Sequence, residues 1–180
     1  MLTQYGITAC GISGRDAGLF IAKKHSIEHE GQFIDIGWVG DIIKVNPQLV
    51  ETLWGKRILP VVSPISSDSN GKSLNVNADW AAAQLAIALR AEKLLLFTDV
   101  PGVLRDPSNP DSLIQNLSAS EIPLLVQKGI VSGGMIPKLK MIQTILQGGV
   151  EEIFIAGGAS LEFLDQLLGG KFVPGTRITR

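Results

Sequence analysis

Two apolar runs enclose an alanine-rich segment near the middle of the chain. The runs cover Arg57–Ser63 and Lys93–Thr98, and their largely unbroken apolar character is typical of buried strands. Between them, small or apolar residues recur at three- and four-residue intervals, which is the spacing of a helix. These residues are Ala78, Ala81, Ala82, Leu85, Ala88 and Leu89. The pattern predicts a strand, a helix and a second strand, with neither strand at a surface.

Polar residues gather at the start of this helix, in the stretch Asn75-Val76-Asn77-Ala78-Asp79. A helix N-terminus presents free backbone N–H groups and a partial positive charge, which suit an anionic ligand. Taken singly, Asn77 fits an N-cap, and Asp79 fits a first-turn acid that complements the helix dipole. Two asparagines and an aspartate together, at a strand–helix junction, favour a binding site over capping alone.

The rest of the chain continues the alternation of strands and helices. Extended segments are predicted at Gly6–Gly14, Phe33–Asn46, Glu152–Ala156 and Thr176–Thr179, and Leu19–Lys24 is a further short apolar run. Helices are predicted from Asn46-Pro47 to Gly55 and over Ser118–Lys128, Ile136–Gln147 and Leu161–Leu168. Ser66–Ser73 fits a polar hairpin turn. This order indicates an α/β protein with a mostly parallel sheet, in which ligands bind beyond the carboxyl ends of strands, where Asp99 is predicted to lie.

Composition narrows the class of protein. The 180 residues fit one domain, and a hydrophobic content of 45% supplies a large core. A net charge of −1 argues against a surface for nucleic acid. Cys10 is the single cysteine, so an internal disulfide is impossible and a reducing cytoplasm is expected. The sequence shows no secretory signal pattern and no apolar stretch of membrane-spanning length.

Three familiar site patterns fail on spacing or context. Asn70-Gly71-Lys72-Ser73 looks like the end of a P-loop, but Ser66 stands where the first glycine is required. The glycines of Gly11–Gly18 lack the spacing of a dinucleotide fingerprint. His25 and His29 lie in a polar stretch away from any candidate nucleophile, so we expect solvated loop residues rather than a catalytic triad.

The stretch Gly133-Gly134-Met135-Ile136-Pro137-Lys138 is more informative. Two glycines allow the backbone to approach a ligand closely, and Pro137 suits the first turn of a helix. Lys138 would then lie at the helix N-terminus, where the dipole disfavours a cation unless an anion lies between. A surface lysine on a glycine-capped helix is the alternative. Together with the cluster at Asn75–Asp79, the placement favours a phosphate-binding lysine.

These stretches resemble the C-terminal two thirds of the acetylglutamate kinases, a branch of the amino acid kinase family. The matching stretches follow the family's order along the chain: Gly11–Asp16, Asp35–Asp41, Val45–Pro47, Leu59–Pro64, Asn75–Asp79, Thr98–Gly102, Gly133–Lys138 and Pro174–Thr176. The stretches around Asn75 and Lys138 are specific in combination. The stretch Asp35–Asp41 favours the acetylglutamate branch over the aspartate, glutamate, uridylate and carbamate kinases.

The resemblance implies a three-layer α/β/α sandwich with a mostly parallel central sheet of eight strands. It implies ATP-dependent phosphorylation of the γ-carboxylate of N-acetyl-L-glutamate, the second step of arginine biosynthesis, with Mg²⁺ held mainly by the nucleotide. Residues 1–56 would belong to the substrate-side lobe and residues 57–180 to the nucleotide-binding lobe of one domain. A cytoplasmic homo-oligomer, with no nucleic-acid or membrane partner and no protein-held metal, is expected.

The resemblance also implies roles for individual residues. Lys138 matches the lysine that stabilises the transition state, and Asp79 matches the aspartate that orients the catalytic lysines. Asn75 and Asn77 match substrate-binding positions. The nucleotide-binding positions would be Asp99, Val100, Pro101, Gly102, Val103, Leu104, Ile130, Val131, Ser132 and Met135.

The sequence departs from the family in two places. The family's Lys-x-Gly-Gly strand, Gly-Gly-Gly substrate loop and substrate-binding arginine do not occur in the 180 residues. We therefore expect an N-terminally incomplete family fold with little turnover by itself. Leu167–Pro174 lacks the acidic segment of arginine-inhibited members. A catalytically inactive nucleotide-binding or regulatory paralogue, and a kinase for carrier-bound aminoadipate, remain as alternatives.

Overall fold

The structure is a computed structural model, and it describes residues 2–29, 31–158, 166 and 175–180. The chain divides into two compact units, Met1–Leu89 and Arg90–Arg180. This division falls at a different place from the predicted lobe boundary after residue 56, and the functional assignment of the lobes stays a prediction. Of the predicted helix Leu161–Leu168, only Gln166 is among the described residues, and it is helical.

The first unit contains six strands and two α-helices among its described residues. The strands are β1 (Ala9–Ser13), β2 (Phe20–His29), β3 (Gln32–Val45), β4 (Leu59–Ser63), β5 (Ile65–Ser67) and β6 (Ser73–Asn75). The helices are α1 (Gln48–Gly55) and α2 (Ala78–Ala88). β1 and β4 pair in parallel, whereas the order β2-β3-β6-β5 closes into a small barrel.

One hydrophobic cluster joins the elements of this unit. Leu19, Phe20 and Val50 are almost fully buried in it, together with Leu74 and Ala81. The cluster draws on the barrel strands and on both helices, so the long β2–β3 hairpin and α2 share one core. The polar segment 23–29 of β2 still pairs with β3. Phe20 and Ala22, which precede it in the same strand, are buried in the core and anchor the hairpin.

The predicted helix after Asn75 forms with its expected cap. The side-chain oxygen of Asn77 accepts a hydrogen bond from the backbone N–H of Trp80 at 3.0 Å. Ala81, Ala83 and Ala86 are buried, and the small side chains let α2 approach its neighbours closely. α1 begins one residue later than predicted, with Pro47 at the cap and the Asn46 side chain accepting from the Gln48 N–H at 3.4 Å.

The second unit is built on a four-stranded sheet of order β7-β9-β10-β8. Its strands are β7 (Lys93–Thr98), β8 (Asn116–Ser118), β9 (Glu152–Gly157) and β10 (Thr176–Thr179), and its helices are α3 (Ile122–Gln127) and α4 (Met135–Gln147). β7 and β9 are parallel, β9 and β10 antiparallel, and β10 and β8 parallel. Ile153, Ile155 and Ile178 are fully buried in this sheet, and the α/β class is confirmed.

Two expectations about exposure are wrong. β4 is not a buried strand, because Leu59 and Val61 are 44% and 50% exposed. Among the described residues β4 pairs only with β1, so its outward face has no covering layer there. His25 is not a loop residue: it lies half-buried in β2, and its Nδ1 is 2.7 Å from Oδ2 of Asp41 on β3. A cross-strand partner thus holds a histidine that polarity alone places in solvent.

An ion cluster ties β10 to β9 and β7 at one end of the sheet. Arg177 hydrogen bonds to Glu152, and the Lys93 ammonium lies 3.8 Å from the same carboxylate. The Arg177 hydrogen bond is the main cause that lowers the pKa of Glu152 below its ordinary value, against the opposing effect of partial burial. Folding therefore favours the ionised form of the Glu152 carboxyl group.

We predict an acid-dependent loss of stability through Glu152. A lowered pKa in the folded state stabilises the protein above the ordinary glutamate pKa, and that stabilisation disappears as the pH falls through the folded value. Urea unfolding at pH 7 and below pH 4 should show a smaller acid-side loss for Glu152→Gln than for the parent chain. Glu151→Gln, at the exposed neighbouring position, is the control and should retain the loss. Equal acid-side losses in all three proteins would contradict the assignment.

Candidate functional site

A cavity of about 460 Å³ lies in the second unit, at the carboxyl end of β7 and the N-terminal end of α4. Its lining comes from three segments, 98–107, 130–132 and 134–138. The residues are Thr98, Asp99, Val100, Gly102, Val103, Leu104, Pro107, Ile130, Val131, Ser132, Gly134, Met135 and Lys138. Its volume falls within the range of small-molecule sites, roughly 300–1,000 Å³.

The parallel pairing of β7 with β9 determines where this cavity opens. In the register, Thr98 faces Gly157, so both strands end at the same edge of the sheet. The backbone N–H of Gly158 donates to the Thr98 carbonyl at 3.2 Å and closes the ladder. The Thr98 hydroxyl then donates to Oδ1 of Asp99 at 3.0 Å. The Thr98 hydroxyl and the Asp99 carboxylate therefore lie together where the end of β7 lines the cavity.

The loop after β7 runs back across the end of the sheet. A Cβ at Gly157 would lie 3.0 Å from the carbonyl oxygen of Val100 and 3.1 Å from Cα of Pro101. These distances to backbone atoms are tighter than most Cβ contacts, so a side chain here would push the loop away, and glycine at the end of β9 allows the loop to pack directly on the strand. Val103 follows and is buried, and its carbonyl accepts from the N–H of Ile114, in the segment before β8, at 2.8 Å.

α4 begins at the cavity with Lys138 in its first turn. The turn is opened by backbone bonds from Met135 N–H to Ser132 and from Ile136 N–H to Gly133, at 3.3 and 3.2 Å. Gly133 has a φ of 56°, a left-handed conformation that glycine adopts readily. The helix has no acidic residue in its first turn, so the half-buried Lys138 shares that end with the positive pole of the dipole. This confirms the predicted placement of the lysine.

The cavity wall has two chemical characters. Ile130, Val131 and Met135 supply an apolar side, while Asp99 and Lys138 supply one carboxylate and one ammonium. A few polar groups set in an apolar wall are typical of small-molecule sites. The arrangement suits a ligand with a flat apolar body and an anionic end, since α4 and Lys138 both attract negative charge.

Pro107 belongs to a separate turn that reaches the cavity. Oδ1 of Asp106 accepts from the Ser108 N–H at 2.9 Å and from the Ser108 hydroxyl at 2.7 Å. The side-chain hydrogen bond from Ser108 is the main cause that lowers the pKa of Asp106. The turn that carries Pro107 is thus held by local side-chain-to-backbone bonds.

The structure brings together most of the predicted nucleotide-binding positions. All of them line the cavity except Pro101, which packs near Gly157 instead. Gly134 lines it as well, in agreement with the expectation that the double glycine before α4 approaches a ligand. Thr98 and Pro107 also line it and were not predicted as site residues, although the strand end is a signal that could have identified Thr98. No sequence signal identifies Pro107, because its polar loop looks like an ordinary connection between two elements of secondary structure.

The predicted substrate positions lie in the first unit. Asn75 is exposed and lines a second, more open cavity of about 750 Å³, with Trp38, Ile65, Lys72, Ser73 and Leu74. The ammonium groups of Lys24 and Lys72 lie 5.4 and 5.7 Å from the centre of the Trp38 ring. Asn77 caps α2, and Asp79 is half-buried in the first turn of that helix.

The described part of the chain has no helix with the length and apolar character needed to cross a membrane. Within the same residues, no group of three or more histidine, cysteine, aspartate or glutamate side chains could hold a metal ion.

Comparison with known proteins identifies relatives along most of the chain. The model of the amino acid kinase family matches residues 1–157. The chain is 45% identical over 163 residues to an acetylglutamate kinase of Heliobacterium modesticaldum, covering 88% of this chain and 55% of that protein. It is 42% identical over 170 residues to an acetylglutamate kinase of Methanopyrus kandleri, covering 94% and 67%. The chain thus spans little more than half the length of the first of these relatives.

A solved structure shows the same fold. The N-acetylglutamate synthase of Neisseria gonorrhoeae, complexed with coenzyme A and N-acetyl-glutamate, aligns with a TM-score of 0.83 at 24% identity. The alignment covers 99% of this chain and 39% of that one. Sequence and fold agree, and the chain belongs to the amino acid kinase family.

Proposed function

We propose that this chain forms the nucleotide-binding part of an acetylglutamate kinase, which transfers the γ-phosphoryl group of ATP to the γ-carboxylate of N-acetyl-L-glutamate. The observation that carries the proposal is the cavity between the end of β7 and the start of α4, with Lys138 at its edge. The relatives named acetylglutamate kinase, at up to 45% identity, support the choice of reaction. We place the enzyme in the cytoplasm, which the single free Cys10 suits.

The cavity residues suggest how a nucleotide would be held. Ile130, Val131 and Met135 would contact the base, and the loop Asp99–Leu104 would surround the nucleotide on the side of β7. The glycines and the N-terminus of α4 offer backbone N–H groups to the phosphates. ATP supplies the phosphoryl group, and Mg²⁺ carried by the nucleotide offsets its charge.

Lys138 is assigned to the negative charge of the transferring phosphoryl group. Lys138 lies in the first turn of α4 and lines the cavity, so its side chain borders the space that we assign to the nucleotide. Phosphoryl transfer needs little covalent chemistry from the protein and depends on positioning and charge neutralisation. A fixed cation at this position serves both needs.

Asn75, Asn77 and Asp79 lie in the first unit, and we assign them to the acceptor substrate and to the organisation of charge. The γ-carboxylate of the acceptor is already ionised at neutral pH, so the reaction requires no general base to remove a proton. We therefore propose that Asp79 organises charge rather than accepting a proton, and that Asn75 contacts the substrate. The side-chain oxygen of Asn77 already caps α2, so Asn77 would contribute to substrate binding through its side-chain NH₂ group. The expected homo-oligomer stays a prediction.

We predict that the purified chain binds MgADP and MgATP, because the cavity and both of its flanking segments are present. Isothermal titration calorimetry measures this directly. Binding at micromolar to millimolar concentration supports the proposal. A folded chain that gives no binding heat at millimolar nucleotide would overturn it.

Lys138→Ala should lower kcat by roughly 10²–10³ while changing the KM for N-acetyl-L-glutamate little, because the lysine acts on charge that grows in the transition state. The assay uses a chimaeric kinase that joins the N-terminal part of the Heliobacterium modesticaldum relative to this chain, with hydroxylamine trapping of the acyl phosphate. Lys140→Ala changes an exposed lysine of the same helix and is the matched control. A loss below about fivefold, or an equal loss in the control, would contradict the assignment.

Asp79→Asn tests the proposed role of the aspartate in the same chimaera. The change keeps the shape of the side chain and removes its charge, so kcat should fall without a new acid-limb pKa in the pH profile of kcat. If the parent profile shows an acid limb that Asp79→Asn abolishes, Asp79 is a titrating base and the proposal fails.

A further inference from the structure

Thr176 is a buried polar residue that the proposed function leaves without a role. It is the first residue of β10 and is fully buried, and within the described residues it shares this state with only one other polar or charged residue, Ser66. Its Oγ1 accepts a hydrogen bond from the backbone N–H of Val103 at 2.8 Å. The two residues are 73 positions apart in the chain. The bond therefore joins the sheet to the loop that lines the cavity.

The loop around Val103 fits closely against this threonine. A Cβ at Gly102 would lie 2.6 Å from Oγ1 of Thr176 and 2.8 Å from Cδ1 of Leu113. The φ of Gly102 is 153°, a backbone conformation that residues other than glycine rarely adopt. Glycine is thus required for the hydroxyl and the loop backbone to meet.

The backbone N–H of Val103 cannot replace the threonine oxygen with water. Val103 is 1% exposed, so without the threonine oxygen its N–H would be buried and unsatisfied. The carbonyl of Val103 is already bonded to the Ile114 N–H, which fixes the other side of the same peptide segment. Loss of the Thr176 oxygen would release the N–H side of this attachment alone.

We propose that Thr176 is a positioning residue for the candidate nucleotide site: its hydroxyl holds Gly102 and Val103 in the conformation that lines the cavity. This inference rests on the proposed nucleotide binding for its effect on affinity. The effect on the loop itself follows from the hydrogen bond and does not depend on any ligand. The two effects can therefore be measured separately.

The test compares Thr176→Val, which replaces the hydroxyl by a methyl group of similar size, with Thr176→Ser, which keeps the oxygen. Amide hydrogen exchange is measured on the ligand-free protein, and MgADP affinity is measured by calorimetry. Thr176→Val should speed exchange at the Val103 amide by roughly tenfold or more and weaken MgADP binding by roughly tenfold. Thr176→Ser should restore both values to within about twofold of the parent chain.

Ser66→Ala provides the matched control in the first unit. The Ser66 hydroxyl is fully buried and donates to the Leu74 carbonyl at 3.1 Å, so its loss also removes a buried hydroxyl-to-backbone bond. Ser66→Ala should lower the free energy of unfolding without changing amide exchange at Val103 or the affinity for MgADP. If Thr176→Val does not fold, Thr176→Cys replaces it in the comparison with Thr176→Ser, because a thiol is a weak acceptor.

The outcomes separate this inference from the proposed function. Unchanged exchange at Val103 in Thr176→Val, or failure of Thr176→Ser to restore it, overturns the positioning role. Faster exchange with unchanged MgADP affinity overturns the link from the loop to the site. A parent chain that binds no MgADP overturns the proposed function, while the exchange data still decide whether Thr176 positions the loop.

Discussion

The parallel pairing of β7 with β9 is the constraint on which the candidate site depends. Because the two strands run together from Lys93–Glu152 to Thr98–Gly157, their carboxyl ends meet at one edge and the chain must leave the sheet there. Gly157 removes the side chain that would keep the departing loop away. The loop then lies on the sheet and forms one wall of a cavity, as expected for ligand sites in α/β proteins.

The start of α4 forms a second wall of the cavity and gives it a positive potential. α4 directs the positive end of its dipole at the cavity, and Lys138 adds a full charge at the same point. The helix is held in place by residues further along it, Leu139, Ile142 and Ile145, which are fully buried. The burial of these side chains fixes the position of the helix end and of Lys138 at the cavity. An anionic ligand at this point would be attracted by the dipole and by the lysine, and the proposed nucleotide binding rests on this attraction.

Local patterns predicted the elements that carry the site. β7 matches its apolar run, α2 begins at its predicted cap Asn77, and α4 begins one residue before the predicted Ile136. These elements were predictable because periodicity and capping act within a few residues.

The features that the sequence did not predict depend on contacts between distant residues. The four-stranded barrel, the short strand β8 and the His25–Asp41 pair all require partners many positions away. The exposure of Leu59 and Val61 depends on which layers cover β4 rather than on the strand itself. The bond between Val103 and Thr176 is of the same kind, since neither residue signals the other in the sequence.

We propose that the cavity at the ends of β7 and α4 binds a nucleotide. An NMR titration of the isotope-labelled chain with MgADP tests this binding residue by residue. We predict saturable shift changes at the amides of 98–104 and 130–138, with little change at residues remote from the cavity. Absence of saturable changes in these two segments, or changes confined to Met1–Leu89, would contradict it.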